Sequence, residues 1–139
     1  MSDADRECQR LVVDSAAYND SRAWEALAAL YADDGVVVRP NGERVVGRAA
    51  IAESYAAAPA NRRTRHVCTN WRFDLNGPDA ARGITSVLVY SWDANCEPDP
   101  KFGHQLDSRM VIGDFADRFV RTSGGWRIAE RRASLSAHT

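Results

Sequence analysis

Beyond residue 60 the chain is a succession of long alternating or apolar runs separated by turn residues, which leaves that half of the molecule room for little besides strands. Thr64 to Leu75 alternates, predicting Val67, Trp71, Phe73 and Leu75 largely on one face and His66, Cys68, Asn70 and Arg72 on the other. A single β-bulge between His66 and Trp71 would exchange the residues of those faces. Asn76-Gly77-Pro78-Asp79 turns the chain into a long strand, Ala81 to Trp92. Asp93 to Ser108, with Pro98, Pro100 and Gly103, is a polar loop long enough to act as a rim or lid. Met110 to Arg121 reads as a strand, Ser123-Gly124-Gly125 as a tight turn, and Trp126 to Leu135 as the last strand.

The first half has the other periodicity. From Glu7 to Asn19, Cys8, Leu11, Val12 and Ala16 recur at three- and four-residue spacing, the stripe of an amphipathic helix. A second helix is predicted over Arg22 to Ala32, burying Trp24, Leu27, Ala28 and Tyr31, with Ser21 or Asp20 as its N-cap. Asp33-Asp34-Gly35 breaks it, and Val36-Val37-Val38 reads as a strand. Pro40-Asn41-Gly42 has hairpin-turn chemistry, with Arg44-Val45-Val46 returning. A third helix, Ala49 to Ala58, ends at Pro59. Helices gathered early and a strand meander late describe one α+β domain spanning residues 1–139, with three N-terminal helices packed on a curved antiparallel sheet.

Composition narrows the function classes. The net charge is −1 with the signs mixed along the chain, so no basic face for nucleic acid or an anionic membrane is indicated. The cysteines, Cys8, Cys68 and Cys96, are odd in number and widely spaced, which points to neither a disulfide framework nor a zinc site. The acidic Met1-Ser2-Asp3-Ala4-Asp5 does not read as a signal peptide, and no run approaches the ~20 apolar residues of a membrane span. A cytoplasmic protein without metal or cofactor is the expectation.

Four segments carry a resemblance. They are Asn19-Asp20-Ser21-Arg22-Ala23-Trp24, Arg65-His66-Val67-Cys68-Thr69-Asn70, Gly113 through Arg121 (a Gly-x-aromatic-x-Asp-x-x-x-Arg pattern), and Gly125-Trp126-Arg127-Ile128-Ala129-Glu130-Arg131. In order and type they resemble the nuclear-transport-factor-2-like (cystatin-like cone) superfamily, most closely its SnoaL-like branch, which includes scytalone dehydratase and hexachlorocyclohexane dehydrochlorinase. The resemblance implies a catalytic histidine at His66 and an aspartate at Asp20 that holds one ring nitrogen while the other takes a proton. It also implies a leaving-group role for Arg121, which can equally pair with Asp114 or Asp117 on the sheet surface.

Each nominated residue has an ordinary reading as well. His66 can be a core histidine bound to a backbone group, and Asp20 can cap the second helix. Asn70 can hold a substrate oxygen or satisfy a neighbouring backbone group. Tyr18, Trp24, Tyr55, Tyr90 and Phe115 are candidate pocket walls, although aromatic residues at such spacing commonly form core. The second histidine of scytalone dehydratase falls near Ser91 and an assisting tyrosine of other relatives near Ser15, which argues against those specific activities. No interior Asp/Arg/Asp set is apparent.

The expected function is therefore a cofactor-free lyase or isomerase acting on a small, mostly apolar ring compound by Asp–His proton abstraction. The alternative is a non-catalytic binding or assembly module resembling the small subunit of ring-hydroxylating dioxygenases. A homo-oligomer is expected through an apolar outer sheet face including Val67, Trp71 and Phe73, a trimer before a dimer.

Overall fold

A computed structural model describes residues 1–139. Its elements run α1 (Asp3–Asp20), α2 (Trp24–Ala29), β1 (Tyr31–Val38), β2 (Arg44–Val46), α3 (Arg48–Ala56), β3 (Arg62–Leu75), β4 (Ala80–Asp93), β5 (Val111–Thr122) and β6 (Gly125–His138). The helices cover one face of a six-stranded sheet ordered β2-β1-β6-β5-β4-β3. The predicted meander is β3 to β6, antiparallel throughout, but β1 lies parallel to β6, so the sheet is not wholly antiparallel.

Several boundaries depart from expectation for local reasons. Helix α1 starts at Asp3 because Ser2 and Asp5 form a reciprocal capping box, and Asp3 and Asp5 place negative charge on the positive helix end. Helix α2 is only six residues long and has no side-chain cap. The Ser21 hydroxyl instead donates to the Tyr18 carbonyl, and Arg22 takes a φ of 59° that redirects the chain. Strand β1 begins at Tyr31, not Val36, because the Ile128 N–H donates to the Leu30 carbonyl and Tyr31 pairs with Ile128. The hairpin β1–β2 closes with the Gly42 N–H donating to the Arg39 carbonyl.

The core lies between α1, α3 and the inner sheet face, where Cys8, Val12, Tyr31, Ile51, Phe119 and Ile128 are fully buried or nearly so. Burying a Val, Ile or Phe side chain contributes about 1.5–3 kcal/mol relative to exposure. Phe73 lies across Gly83, where a Cβ would come within 2.5 Å of its ring, and meets Phe119 edge-on at 6.0 Å.

The bulge foreseen as a possibility in β3 is present. Asn70 adopts a φ of 55° and the pairing with β4 shifts between Thr69 and Arg72. Asparagine tolerates this left-handed conformation better than most residues. The extra residue turns the strand over, so His66 and Cys68 share the inner face with Trp71 and Phe73, which pack on the core, while Val67 points outward. Trp71 and Phe73 are therefore not part of an outer apolar face. Across β3, β4 and β5, Val67, Leu88 and Ile112 are in register there instead.

The loop from Ala94 to Met110 is strapped to the sheet, and none of its residues lines the cavity described below. The Ser91 hydroxyl donates to Asp107 at 2.6 Å, and the Asp107 N–H donates back to the Ser91 carbonyl at 2.8 Å. No helix is long and apolar enough to cross a membrane.

Candidate active site

Asp20 ends α1, where a carboxylate meets the negative pole of the helix and needs compensation. Strand β3 supplies it. Asp20 Oδ1 accepts the Thr64 hydroxyl at 2.9 Å and lies 2.6 Å from His66 Nδ1, while Oδ2 accepts the His66 backbone N–H at 3.0 Å. The two side chains retain only 11% and 15% of their exposure, so the contact is well shielded from water. With Nδ1 engaged as donor, the neutral ring presents Nε2 as its free acceptor. Asp20 lines a groove between α1 and β3, whereas His66 lines that groove and also an inner cavity.

The cavity has a volume of about 200 Å³ and is mostly apolar, walled by Leu27, Val37, Val87, Val89, Val111 and Phe115. Polar side chains enter at Ser15, Asn19, Arg39, Tyr55, His66 and Arg131. Of the residues nominated as pocket walls, Tyr55 and Phe115 line this cavity. Five other nominated residues do not. Trp24 stacks with Tyr55 at 6.2 Å, and the Arg22 guanidinium lies 5.2 Å from its ring centroid. Tyr18 contributes its carbonyl to the turn after α1, not its ring to the cavity. Tyr90 pairs with Arg65 on the outward parity of β4, opposite in sense to Val87 and Val89. Asn70 is exposed in the bulge. Arg121 lies exposed at the far end of the sheet among Leu75, Gly125 and Trp126, and pairs with neither Asp114 nor Asp117.

Sequence reasoning missed the buried ion pair. Arg131 forms a two-pronged contact with Asp117, both bonds 2.9 Å, and its Nη1 donates to the Ser15 hydroxyl at 2.9 Å. Its guanidinium also lies 4.0 Å over the Phe115 ring. Burial alone would lower the guanidinium's pKa, but the Asp117 carboxylate, with Tyr31 and Tyr55 adding to it, raises it and holds Arg131 charged. The interior thus holds one Asp/Arg pair, Asp117 with Arg131. A signal was present: Asp117 stands two residues from both Phe115 and Phe119, on the inward parity of its strand. Beside this pair, burial and then the neighbouring Tyr55 push the Tyr31 phenol well above its ordinary value, with Arg131 opposing.

A shielded carboxylate–imidazole pair, its histidine lining a mostly apolar cavity, thus sits on a helix-covered α+β sheet. The chain belongs to the SnoaL-like domain family, whose profile matches residues 1–132. Among solved structures it is similar to a candidate scytalone dehydratase from Novosphingobium aromaticivorans, at 22% identity and TM-score 0.80 over 96% of this chain and 85% of that one. It is also similar to the hexachlorocyclohexane dehydrochlorinase LinA type 2, at 21% identity and TM-score 0.78 over 99% and 92%. A protein of unknown function from Mycobacterium tuberculosis matches at 26% identity and TM-score 0.76 over 93% and 74%. No curated protein matches the sequence.

Proposed function

We propose that this protein is a lyase or isomerase acting on a small, mostly apolar ring compound, with His66 as general base. His66 Nε2 takes a proton from a carbon acidified by a neighbouring carbonyl or leaving group. The electron pair left behind either expels that group, giving an alkene, or delocalises and is reprotonated elsewhere, giving an isomer. Asp20 fixes the tautomer through Nδ1 and stabilises the imidazolium as it forms. The cavity strengthens that interaction by excluding water. No step requires a group outside the chain.

The observation that carries this reading is the 2.6 Å contact between His66 Nδ1 and Asp20 Oδ1 behind an apolar cavity. Positioned acid–base assistance is worth ~10²–10⁴ in rate. The test uses β-tetralone, a small ring ketone with acidic C–H bonds, and follows deuterium uptake from heavy water by NMR. Wild type should accelerate exchange, and His66→Ala and Asp20→Asn should each remove most of the acceleration. Unchanged exchange in both variants would show the mechanism to be wrong.

The outward row Val67, Leu88 and Ile112 supports self-association as part of this proposal, as a trimer before a dimer. Light scattering on the purified protein reads it directly, and obligate co-purification with a larger subunit would favour the assembly-module alternative.

A further inference from the structure

The cavity receives two arginines, and they differ in charge balance. Arg131 is neutralised by Asp117 and fully engaged with Ser15 and Phe115. Arg39 is not. It stands just past β1 at the hairpin turn, its backbone pinned by the Glu43 carbonyl and by Gly42. The acid beside it is Glu43, whose Oε2 is 3.6 Å from Arg39 Nε, a loose ion pair beyond hydrogen-bond range. The Glu43 side chain is 62% exposed, so its charge is strongly screened by water.

Arg39 Nε itself is buried and has no acceptor in the protein, while the residue lines the cavity beside Pro40 and Leu135. Buried N–H groups nearly always find a partner. Arg39 keeps 36% of its side-chain exposure, so its guanidinium stays open to an incoming acceptor. A guanidinium also presents several N–H donors in a planar fork suited to paired or charged oxygens.

We infer that Arg39 is the oxygen-recognising residue of this cavity, selecting ring compounds that carry an anionic oxygen group, such as a carboxylate or an enolate, over purely apolar rings. The inference takes from the proposed function only that the cavity admits a ring compound. It assigns the polar end of that compound to the hairpin rim and leaves its acidic carbon to His66.

The test is a binding titration, followed by ligand NMR, of β-naphthoate and of β-methylnaphthalene, which differ only in the carboxylate. Arg39→Gln should weaken β-naphthoate roughly 10- to 100-fold, the loss expected of a charge-assisted hydrogen bond, and change β-methylnaphthalene by less than about twofold. Arg39→Lys, which keeps the charge without the fork, should recover part of the loss. Circular dichroism of each variant confirms that it is folded. Three results overturn the inference: wild type fails to bind β-naphthoate, Arg39→Gln leaves its affinity unchanged, or both probes weaken together. The titration reads binding without any turnover, so a failed exchange assay and a failed Arg39 assignment are read separately.

Discussion

Asp20 grips His66 at two points, one carboxylate oxygen 2.6 Å from the ring Nδ1 and the other accepting the backbone N–H at 3.0 Å. The same carboxylate accepts the Thr64 hydroxyl, so it ties the end of α1 to the start of β3 as well as orienting the imidazole.

These two duties separate by mutation. Asp20→Ala leaves the His66 N–H and the Thr64 hydroxyl without their acceptor and should cost about 1–3 kcal/mol in urea unfolding. Asp20→Asn keeps one acceptor oxygen and should lose less stability, yet lose proton-transfer rate as fully as the alanine variant. Equal stability losses with retained rate in the asparagine variant would break the argument.

The Asp117–Arg131 pair is expected to behave as a buried ion pair does when one partner is removed. Asp117→Leu or Arg131→Met alone should destabilise by about 3–5 kcal/mol, because a charge is left uncompensated. The double variant Asp117→Leu/Arg131→Met should recover much of that loss. A double-mutant cycle by chemical denaturation measures both, and strict additivity would contradict the coupling.

Acid stability has an assignable contributor on the outer face. Burial alone would raise the Glu130 pKa, but the hydrogen bond from Arg118 and the charges of Arg118, Arg132 and Arg44 bring it below its ordinary 4.5. A depressed carboxylate means that the unfolded chain binds more protons in this range, so stability rises with pH there. The contribution is present above pH 4.5 and fades as pH falls through the lower folded value. Glu130→Gln should flatten the acid limb of the unfolding profile and leave the neutral plateau's slope alone.

Thiol labelling should resolve the three cysteines. Cys96 is exposed and should react at once under native conditions. Burial, with Asp5, Glu7 and Asp117 adding to it, pushes the Cys8 thiol up to about 12, and burial also raises Cys68. Because the thiolate is the nucleophile, Cys68 should label slowly and Cys8 only on unfolding. Mass spectrometry of timed quenches reads the order, and early modification of Cys8 would contradict the packing.

Most of the fold was legible because two periodicities dominate the chain, three- and four-residue spacing in Cys8–Ala16 and alternation after Thr64. What escaped was set by contacts distant in sequence. Tyr31 to Asp34 reads locally as helix and breaker, yet pairing with β6 draws it into a strand. The faces of β3 turned on one residue, Asn70, whose type permits a left-handed backbone without requiring one, so a bulge could be foreseen there only as a possibility. The Asp20/His66 pair was legible through the family resemblance, since alternation alone cannot say which face of β3 is inner. Arg131 was hidden because the pairing slips at Ala129, between Ile128 and Glu130, which breaks the parity that Trp126 and Ile128 establish. Arg39 was passed over because an arginine beside Pro-Asn-Gly reads as solvated turn.

Strand β6 is the last element in the chain yet sits between β1 and β5. During synthesis, therefore, the first helix and hairpin emerge with no larger sheet to join, and the second edge of β1 waits for its partner until residues beyond 125 have left the ribosome. Pairings between ends so distant in sequence fold slowly. The nascent chain consequently spends that interval with apolar strand edges uncovered, the period in which chaperone capture or aggregation would compete with completion of the domain.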